Sequence, residues 1–341
     1  MDTCNIMLTI VGDIYVQRED PGSAFRFVCH ILRKAGITFG NQESALSTQG
    51  IQRSKIHSDP GMVQALVSAG FNVVGLANNH SMDRGPEGIM ETIEVLNQAK
   101  IAHCGAGANI EEAHEPAIIE RNGTKVAFLS YSSVFMPVLF PAQVNRPGIA
   151  VVRIQTAYQP QKRFFEVPGM LAITITIPEQ ADLNRIQQDI ENAKAKADVV
   201  VVSWHWGISQ GYGKVVDYQR EMGKFAIDAG ADLVVGHHPH ILQGVEVYKG
   251  KAIFYSLADF TFHMPSTNHS KESIIVHCQI RDKKIRGISF LPIFINEQDE
   301  PEVAVAKKGT AIFQLMQQLS VTYGTTMEPS NGEMSISGIF S

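Results

Sequence analysis

Four times this chain runs through the same order: an amphipathic helical stretch, an alanine-containing break, a β-branched run, and polar residues that end the run. Residues 25–34 lead through Ala35, Gly36 and the run 37–39 to Gly40, Asn41, Gln42 and Glu43. Residues 60–68 lead through Ala69, Gly70 and the run 71–76 to Asn78, Asn79 and His80. The third pass takes 181–197 through 198–202 to Ser203, Trp204, His205, Trp206 and Gly207. The fourth takes 218–228 through Ala229, Gly230, Ala231 and the run 233–235 to Gly236, His237, His238, Pro239 and His240. Helices alternating with continuously apolar strands are the pattern of a largely parallel sheet covered by helices. Gly36, Gly70 and Gly230 stand where such helices end in a left-handed residue. A further strand, 6–11, precedes the repeats and stops at Gly12 and Asp13.

Past His240 the pattern changes. Residues 245–248 and 252–256 flank Lys249, Gly250 and Lys251, and 273–280 and 285–295 flank 282–284, so both pairs read as β-hairpins. They predict a second, more antiparallel sheet facing the first, and hence an α/β fold: a four-layer αββα sandwich with mixed sheets. Residues 131–178 carry Pro137, Pro141, Pro147, Pro160, Pro168 and Pro178 among Arg153, Lys162, Arg163, Phe164 and Phe165. Proline at that density predicts a long excursion over the scaffold, either a lid or a structural wrap. The expected division is one domain over 1–300, including the excursion at 131–178. A C-terminal helix (310–319) and a Ser/Gly/Met-rich tail from Thr326, flexible or a minor strand, pack on that domain within 301–341.

A length of 341 residues suits one large α/β domain or a domain with an appendage, and a net charge of -5 argues against a nucleic-acid-binding surface. The four cysteines, Cys4, Cys29, Cys104 and Cys278, form no CxxC pair, so isolated reduced thiols are expected rather than a zinc ribbon or redox centre. No membrane-length apolar run and no secretory leader is visible, so a cytoplasmic protein is expected.

The polar stops at the strand ends carry the chemistry, because open α/β sheets bind ligands beyond the carboxyl ends of their strands. The candidate ligands collected there are Asp13, Asn41, Glu43, Asn79, His80, His205, His237, His238 and His240. Gly236 permits a sharp turn and Pro239 stiffens the loop, which holds imidazoles in fixed relation to one ion. Carboxylate, carboxamide and imidazole together suit Mn²⁺, Fe²⁺ or Zn²⁺ better than calcium or magnesium. Taken singly, each has a plainer reading. Asp13 is a turn or cap residue, Asn78 and Asn79 are turn formers, and Asp83 is the N-cap of a helix over 85–97. Trp204 and Trp206 are either walls of a site or core aromatics.

Taken in order, Gly12-Asp13, Gly40-Asn41-x-Glu43, Ala77-Asn78-Asn79-His80-x-x-Asp83-x-Gly85, His205-Trp206-Gly207 and Gly236-His237-His238-Pro239-His240 resemble the motifs of the calcineurin-like metallophosphoesterase superfamily. The closer match is its CapA branch, named for poly-γ-glutamate capsule biosynthesis proteins. The resemblance runs from Ile6 to Phe262 and is reinforced by Gly75-Leu76-Ala77 and Ile253-Phe254-Tyr255-Ser256-Leu257. It implies a metallophosphoesterase-like sandwich with two divalent ions (Mn, Fe or Zn) at the carboxyl ends of the sheets. Asp13, Asn41, Glu43, Asn79, His205, His238 and His240 would be the ligands. His80 would be the general acid or transition-state stabiliser, with Asp83 orienting it. His237 would be a catalytic group beside the ions or would replace His238 as ligand. The chain differs from the superfamily at Tyr15, where a histidine is usual, at Asn41, where an aspartate is usual, and at Ala258-Asp259, where relatives carry Gly-Asn. Capsule-system CapA proteins carry a membrane anchor, and none is visible here.

The implied activity is metal-dependent hydrolysis of a phosphoester or an amide bond, with a γ-glutamyl amide as one candidate. The partner would be a small-molecule or peptide-like substrate, not a nucleic acid, and homo-oligomerisation is left open. One alternative is an amide-bond-forming or transfer enzyme, or an accessory protein, in poly-γ-glutamate-like biosynthesis. That would need a partner ligase or an activated acyl donor, since no GxxxxGK[ST] motif is present. A second alternative is a non-catalytic scaffold with a degenerate metal site.

Overall fold

Alternation decides which side chains of a strand face which layer, and the valine and isoleucine runs show it clearly. In the strand Val199–His205, Val199 and Val201 face one core while Val200 and Val202 face another. A strand buried on both faces belongs in the middle of a layered structure. The computed structural model describes residues 5–161, 169–209, 214–263 and 269–339; Cys4, Lys162, Arg163, Phe164, Phe165 and Pro168 lie outside the described residues.

In chain order the first elements are β1 (Ile6–Tyr15), α1 (Cys29–Lys34), β2 (Ile37–Gln42), β3 (Ala45–Leu46), β4 (His57–Ser58), α2 (Val63–Ala69), β5 (Val73–Gly75) and α3 (Gly85–Gln98). There follow β6 (Ala102–Cys104), β7 (Ala106–Gly107), α4 (Ile110–His114), β8 (Ala117–Arg121), β9 (Thr124–Ser132), β10 (Gly148–Ile149), β11 (Ile154–Gln159) and β12 (Ile173–Pro178). The middle of the chain supplies α5 (Gln180–Lys196), β13 (Val199–His205), α6 (Asp217–Ala229), β14 (Leu233–His237), β15 (Val245–Tyr248), β16 (Lys251–Phe254) and β17 (Asp259–Phe262). The last elements are β18 (Glu272–Arg281), β19 (Lys284–Ile295), β20 (Pro301–Val303), α7 (Ala306–Ser320), β21 (Met327–Ser330) and β22 (Glu333–Ile336).

Two sheets carry the fold. The first runs β21-β22-β19-β18-β1-β2-β5-β6, with β17 beside β1 and β20 beside β19; the second runs β15-β16-β14-β13-β9-β8. The pairings β1/β2, β2/β5 and β5/β6 are parallel, as are β9/β13, β13/β14 and β14/β16. The hairpins do not build a sheet of their own. One joins the second sheet through β16, and the other joins the first through antiparallel pairing of β18 with β1, so each sheet is mixed. Period-two patterning specifies a buried face but not a strand's neighbour, so the sequence could not assign these hairpins to a sheet.

Three cores separate four layers. Between the sheets, Leu8, Ile10, Phe39 and Val73 meet Phe128, Val201, Val235 and Phe254. The rings of Phe39 and Phe128 stack there at 5.2 Å, so the inner faces interdigitate. Outside the first sheet, Val11, Val74 and Leu76 pack with Leu66 of α2 and Ile89 and Leu96 of α3. Outside the second, Val200, Val202 and Val234 pack with Ile186 and Ile190 of α5 and Met222 and Ala226 of α6. The architecture is therefore an α/β four-layer αββα sandwich with mixed sheets. Each fully buried side chain of this size contributes roughly 1.5–3 kcal/mol.

Gly70 (φ 85°) and Gly230 (φ 122°) end α2 and α6 with positive φ. Gly36 does not. Extended Ala35 ends α1, and Gly36 instead allows close approach to β1, its amide donating to the Met7 carbonyl at 2.9 Å. Ile312 and Met316 of α7 enter the core between the sheets, and the tail forms the hairpin β21–β22, whose second strand pairs with β19. The proline-rich stretch includes a ribbon, β11–β12, with Thr156 opposite Thr176. Alternation puts Thr174 and Thr176 on one face of the ribbon and Ile173, Ile175 and Ile177 on the other. The threonine face lines a cavity of about 620 Å³ with Ser133, Gly207, Lys214 and Tyr218, beside the loop that leaves His205. Among the described residues no helix is long and apolar enough to cross a membrane, and Cys29, Cys104 and Cys278 are free thiols.

Candidate metal centre

Strand register assembles this centre. Asp13 lies opposite Asn41 across β1/β2 and opposite Asp259 across β1/β17, while His205 lies opposite His237 across β13/β14. β1 approaches β17 so closely that a Cβ on Gly12 would fall 1.9 Å from the Ala258 carbonyl oxygen, and that carbonyl accepts the Asp13 amide at 3.0 Å. Only glycine fits there. Three non-glycine residues around the centre hold positive φ: His238 (91°), His240 (56°) and Ala258 (62°). Such conformations cost on the order of 1–3 kcal/mol each and persist when surroundings over-determine them. At His238 the backbone amide donates to Asp13 Oδ2 at 3.0 Å.

Beside a third cluster of His240, Asp259 and His269, the donors form two overlapping groups that share Glu43. One joins Glu43, His205 and His238, the other Asp13, Glu43 and His240, and within each group the donor atoms lie within 4.8 Å of one another. Glu43 is fully buried, and neither of its carboxylate oxygens has a hydrogen-bond partner. Its Oε1 lies 3.4 Å from His205 Nε2 and 3.7 Å from His240 Nε2. Asn79 Oδ1 reaches the same place, 2.6 Å from His205 Nε2. A buried carboxylate without a partner is costly, and a cation between it and neutral imidazoles removes that cost. The residues present thus fit a divalent cation.

Asn41 turns its amide nitrogen to the centre, donating to Asp13 Oδ1 at 2.8 Å, while its oxygen accepts from Asn78 Nδ2 at 3.2 Å. An oxygen contact to an ion would need that amide turned over. His237 belongs to neither donor group. It is fully buried beneath Asp13, its Nδ1 2.9 Å from Asp13 Oδ1 but out of line for a hydrogen bond. Tyr15 adds no donor, since its hydroxyl donates to the Lys55 carbonyl at 3.3 Å and its ring packs on Phe262. His80 stands at the rim with Nδ1 2.7 Å from Asp83 Oδ2 and Nε2 3.1 Å from the Asn79 amide nitrogen. Asp83 is not a helix cap: Arg84 occupies that position in α3, without a side-chain cap. Trp204 and Trp206 are core aromatics, fully buried and stacked at 5.6 Å on the helix side of the second sheet, not walls of the site.

The electrostatics follow from burial and crowding. Burial, then the neighbouring imidazole of His238, pushes His205 well below the usual histidine range. Burial and His240 push His238 down to about 3, so both rings are neutral and keep a lone pair for an ion. Burial alone would raise Asp13, but His237 beside it, with His205 and His240, outweighs burial and holds its carboxyl well below the usual carboxylate range. Glu43 goes the other way, raised well above that range by burial and by the charges of Asp13 and Asp259. A bound cation inverts that direction. Burial would lower His240, but the charge and hydrogen bond of Asp259, together with Asp13, raise it.

His269 is the residue that sequence reasoning did not find. Its ring stacks on His240 at 3.9 Å and its Nδ1 lies 2.8 Å from Asp259 Oδ2. It stands in a polar stretch with no periodicity and no motif, and its only sequence signal was being a histidine shortly after Asp259.

Residues 7–264 match the family described as Bacterial capsule synthesis protein PGA_cap. The chain is 30% identical over 331 residues to the Capsule biosynthesis protein CapA of Bacillus anthracis, covering 92% of this chain and 74% of that protein. It is 31% identical over 304 residues to the PGA biosynthesis protein CapA of Bacillus subtilis (strain 168), covering 85% of this chain and 71% of that protein. The solved structure of Haemophilus influenzae NAD nucleotidase aligns with 93% of this chain and 56% of that one, at 10% identity and a TM-score of 0.44. With the family match running from β1 to the end of β17, and relatives at this identity spanning most of its length, the chain belongs to the bacterial capsule synthesis protein family PGA_cap and is of the CapA type.

Proposed function

We propose that this protein is a metal-dependent hydrolase acting on a phosphoester or an amide bond, with capsule-type polymers such as poly-γ-glutamate as the substrate class for the amide case. The observation that carries the reading is Glu43, a fully buried carboxylate without a hydrogen-bond partner, facing His205, His238 and His240. Two overlapping donor groups sharing Glu43 support two divalent ions of manganese, iron or zinc. Ions bound there would supply Lewis-acid polarisation of the scissile bond and acidification of water.

The residues do the rest. Asp13 and Glu43 concentrate negative charge at the floor of the site, and His205, His238 and His240 present neutral or carboxylate-paired imidazoles to it. Asp83 fixes His80 from the Nδ1 side, leaving Nε2 toward Asn79 and the rim. Hydrolysis adds water across the bond: hydroxyl goes to phosphorus or the carbonyl carbon, and the water's other proton would pass through His80 Nε2, which accepts from the Asn79 amide at rest, to the departing oxygen or nitrogen.

The test is metal analysis of the purified protein together with assays of phosphoesters and γ-glutamyl amides with added Mn²⁺. Metal uptake with turnover of either class is expected; protein that takes up no metal ends the hydrolase reading. Amide transfer is a second reading, favoured by relatives whose names describe biosynthesis. Product analysis with and without an amine acceptor separates it from hydrolysis. For a scaffold role, burying this many imidazoles around a carboxylate that makes no hydrogen bond has no physical motive. Unchanged biological output from His205→Ala would favour the scaffold.

A further inference from the structure

His240 is gripped from the side opposite Glu43. Its Nδ1 makes an aligned hydrogen bond of 2.8 Å with Asp259 Oδ1, while its Nε2 points to the Glu43 side, 3.7 Å from Oε1. We propose that Asp259 and His269 are positioning residues that fix His240 in the tautomer and ring orientation presenting Nε2 to an ion. The inference rests on the metal-dependent reading above and names two groups that reading does not use.

The first support is how Asp259 is held. It lies in register with Asp13 on the neighbouring strand, directly after Ala258, whose carbonyl receives the Asp13 amide. The two carboxylates are therefore fixed by one backbone turn. Asp259 is 1% exposed, and among the described residues its carboxylate has no lysine or arginine partner, only His240 hydrogen-bonded at one oxygen and His269 Nδ1 2.8 Å from the other but out of line for a hydrogen bond. A buried carboxylate in that setting holds a proton on the imidazole nitrogen facing it, which leaves the lone pair of His240 on Nε2.

Ring orientation has its own support. His269 stacks on the face of His240 at 3.9 Å with 8° between planes, and Phe262 sets its ring against both, at 5.1 Å and 4.9 Å. Rotation of the His240 ring would collide with one or the other. His240, Asp259 and His269 also have donor atoms close enough to hold an ion of their own. The aligned hydrogen bond argues against that use, because a nitrogen that donates its proton to Asp259 has no lone pair to give.

Two measurements on the full chain test this. In ¹⁵N-histidine spectra of the metal-free protein, taken at a pH where the His240 ring is neutral, His240 is expected to carry its proton on Nδ1; a neutral ring with the proton on Nε2 overturns the proposal, even if the variants fail to fold. In Mn²⁺ titrations followed by calorimetry, Asp259→Asn is expected to weaken uptake about 10–100-fold at unchanged stoichiometry. His269→Ala is expected to weaken it less, and the double variant to be no weaker than Asp259→Asn, since both act on one ring. Unchanged affinity in Asp259→Asn refutes the positioning role. Loss of one ion from the stoichiometry with the rest bound as before makes the cluster an ion site instead. Wild-type protein that takes up no Mn²⁺ refutes the metal-dependent reading and this proposal with it.

Discussion

The two sheets bring opposite chemistries to one place. The strand ends of the first supply oxygen, from Asp13, Glu43, Asn79 and Asp259; those of the second supply nitrogen, from His205, His238 and His240. Each edge alone is electrostatically poor: the first crowds buried carboxylates, and in the second burial, reinforced by neighbouring imidazoles, holds His205 and His238 below their normal range. Facing one another they relieve part of that cost, and Asp13, held ionised by the histidines, is where relief is most complete. Glu43 is where it is least complete. Oxygen and nitrogen edges thus leave one unsatisfied group at their meeting line, which is where a cation fits.

The largest expected effects separate the two edges. Glu43→Gln and His205→Ala should each weaken Mn²⁺ uptake by at least about 100-fold, yet move the metal-free protein in opposite directions. Glu43 is raised in the folded state, so the folded protein keeps a proton that the unfolded chain releases. Its contribution is intact below the ordinary carboxylate range and is lost as pH rises toward the folded value. Glu43→Gln should therefore raise the Tm of the metal-free protein, more at pH 8 than at pH 5. His205→Ala should lower it by leaving a cavity and unpairing Asn79. Thermal melts in which both variants shift the same way would break the contrast.

Next in size is the backbone that lets the first edge form. Gly12→Ala drives a Cβ into the Ala258 carbonyl and should cost on the order of 3 kcal/mol in chemical denaturation. Gly61→Ala, where nothing lies within 4 Å, should change stability by less than about 0.5 kcal/mol. Equal effects would mean that the close approach of β1 and β17 is not what fixes Asp13.

A smaller effect sits at the rim. Asp83→Asn should lower kcat roughly 10–100-fold by releasing His80 while leaving Mn²⁺ affinity as it was; a parallel loss of affinity would place Asp83 in the ion site itself. The smallest effect is in protons. His205 and His238 are held low, so Mn²⁺ uptake should release about one to two protons, from the two raised groups Glu43 and His240, and tighten as pH rises. Calorimetry in two buffers of different ionisation heat measures it, and release of several protons would shift the burden to the nitrogen edge.

Much of this was legible in the sequence because apolar strands stop abruptly. The runs before Asp13, Asn41, Asn79, His205 and His237 marked where side chains leave the core, and Gly236 with Pro239 marked a tight turn. Legibility ended where tertiary packing chooses among local options. The stretch from His80 to Gly85 is compatible with a capped helix or an Asp–His pair, and only the folded chain turns Asp83 onto His80. The period-two hairpins fit either sheet. Trp204 and Trp206 flank His205, but alternation along β13 sends both to the opposite face. His269 reaches His240 across sequence that carries no pattern at all.

The pairing of β1 with β17 also sets a timetable. Asp13 belongs to β1 and Asp259 to β17, made long afterwards, and contacts between such distant segments form late, because a long loop must close before they repay its entropy. Until β17 docks, Ala258 cannot receive the Asp13 amide, and the turn that carries His238 and His240 lacks its finished neighbour. Capture of an ion would then report that the chain has closed on itself, so a partly made or misthreaded chain would leave the metal in solution.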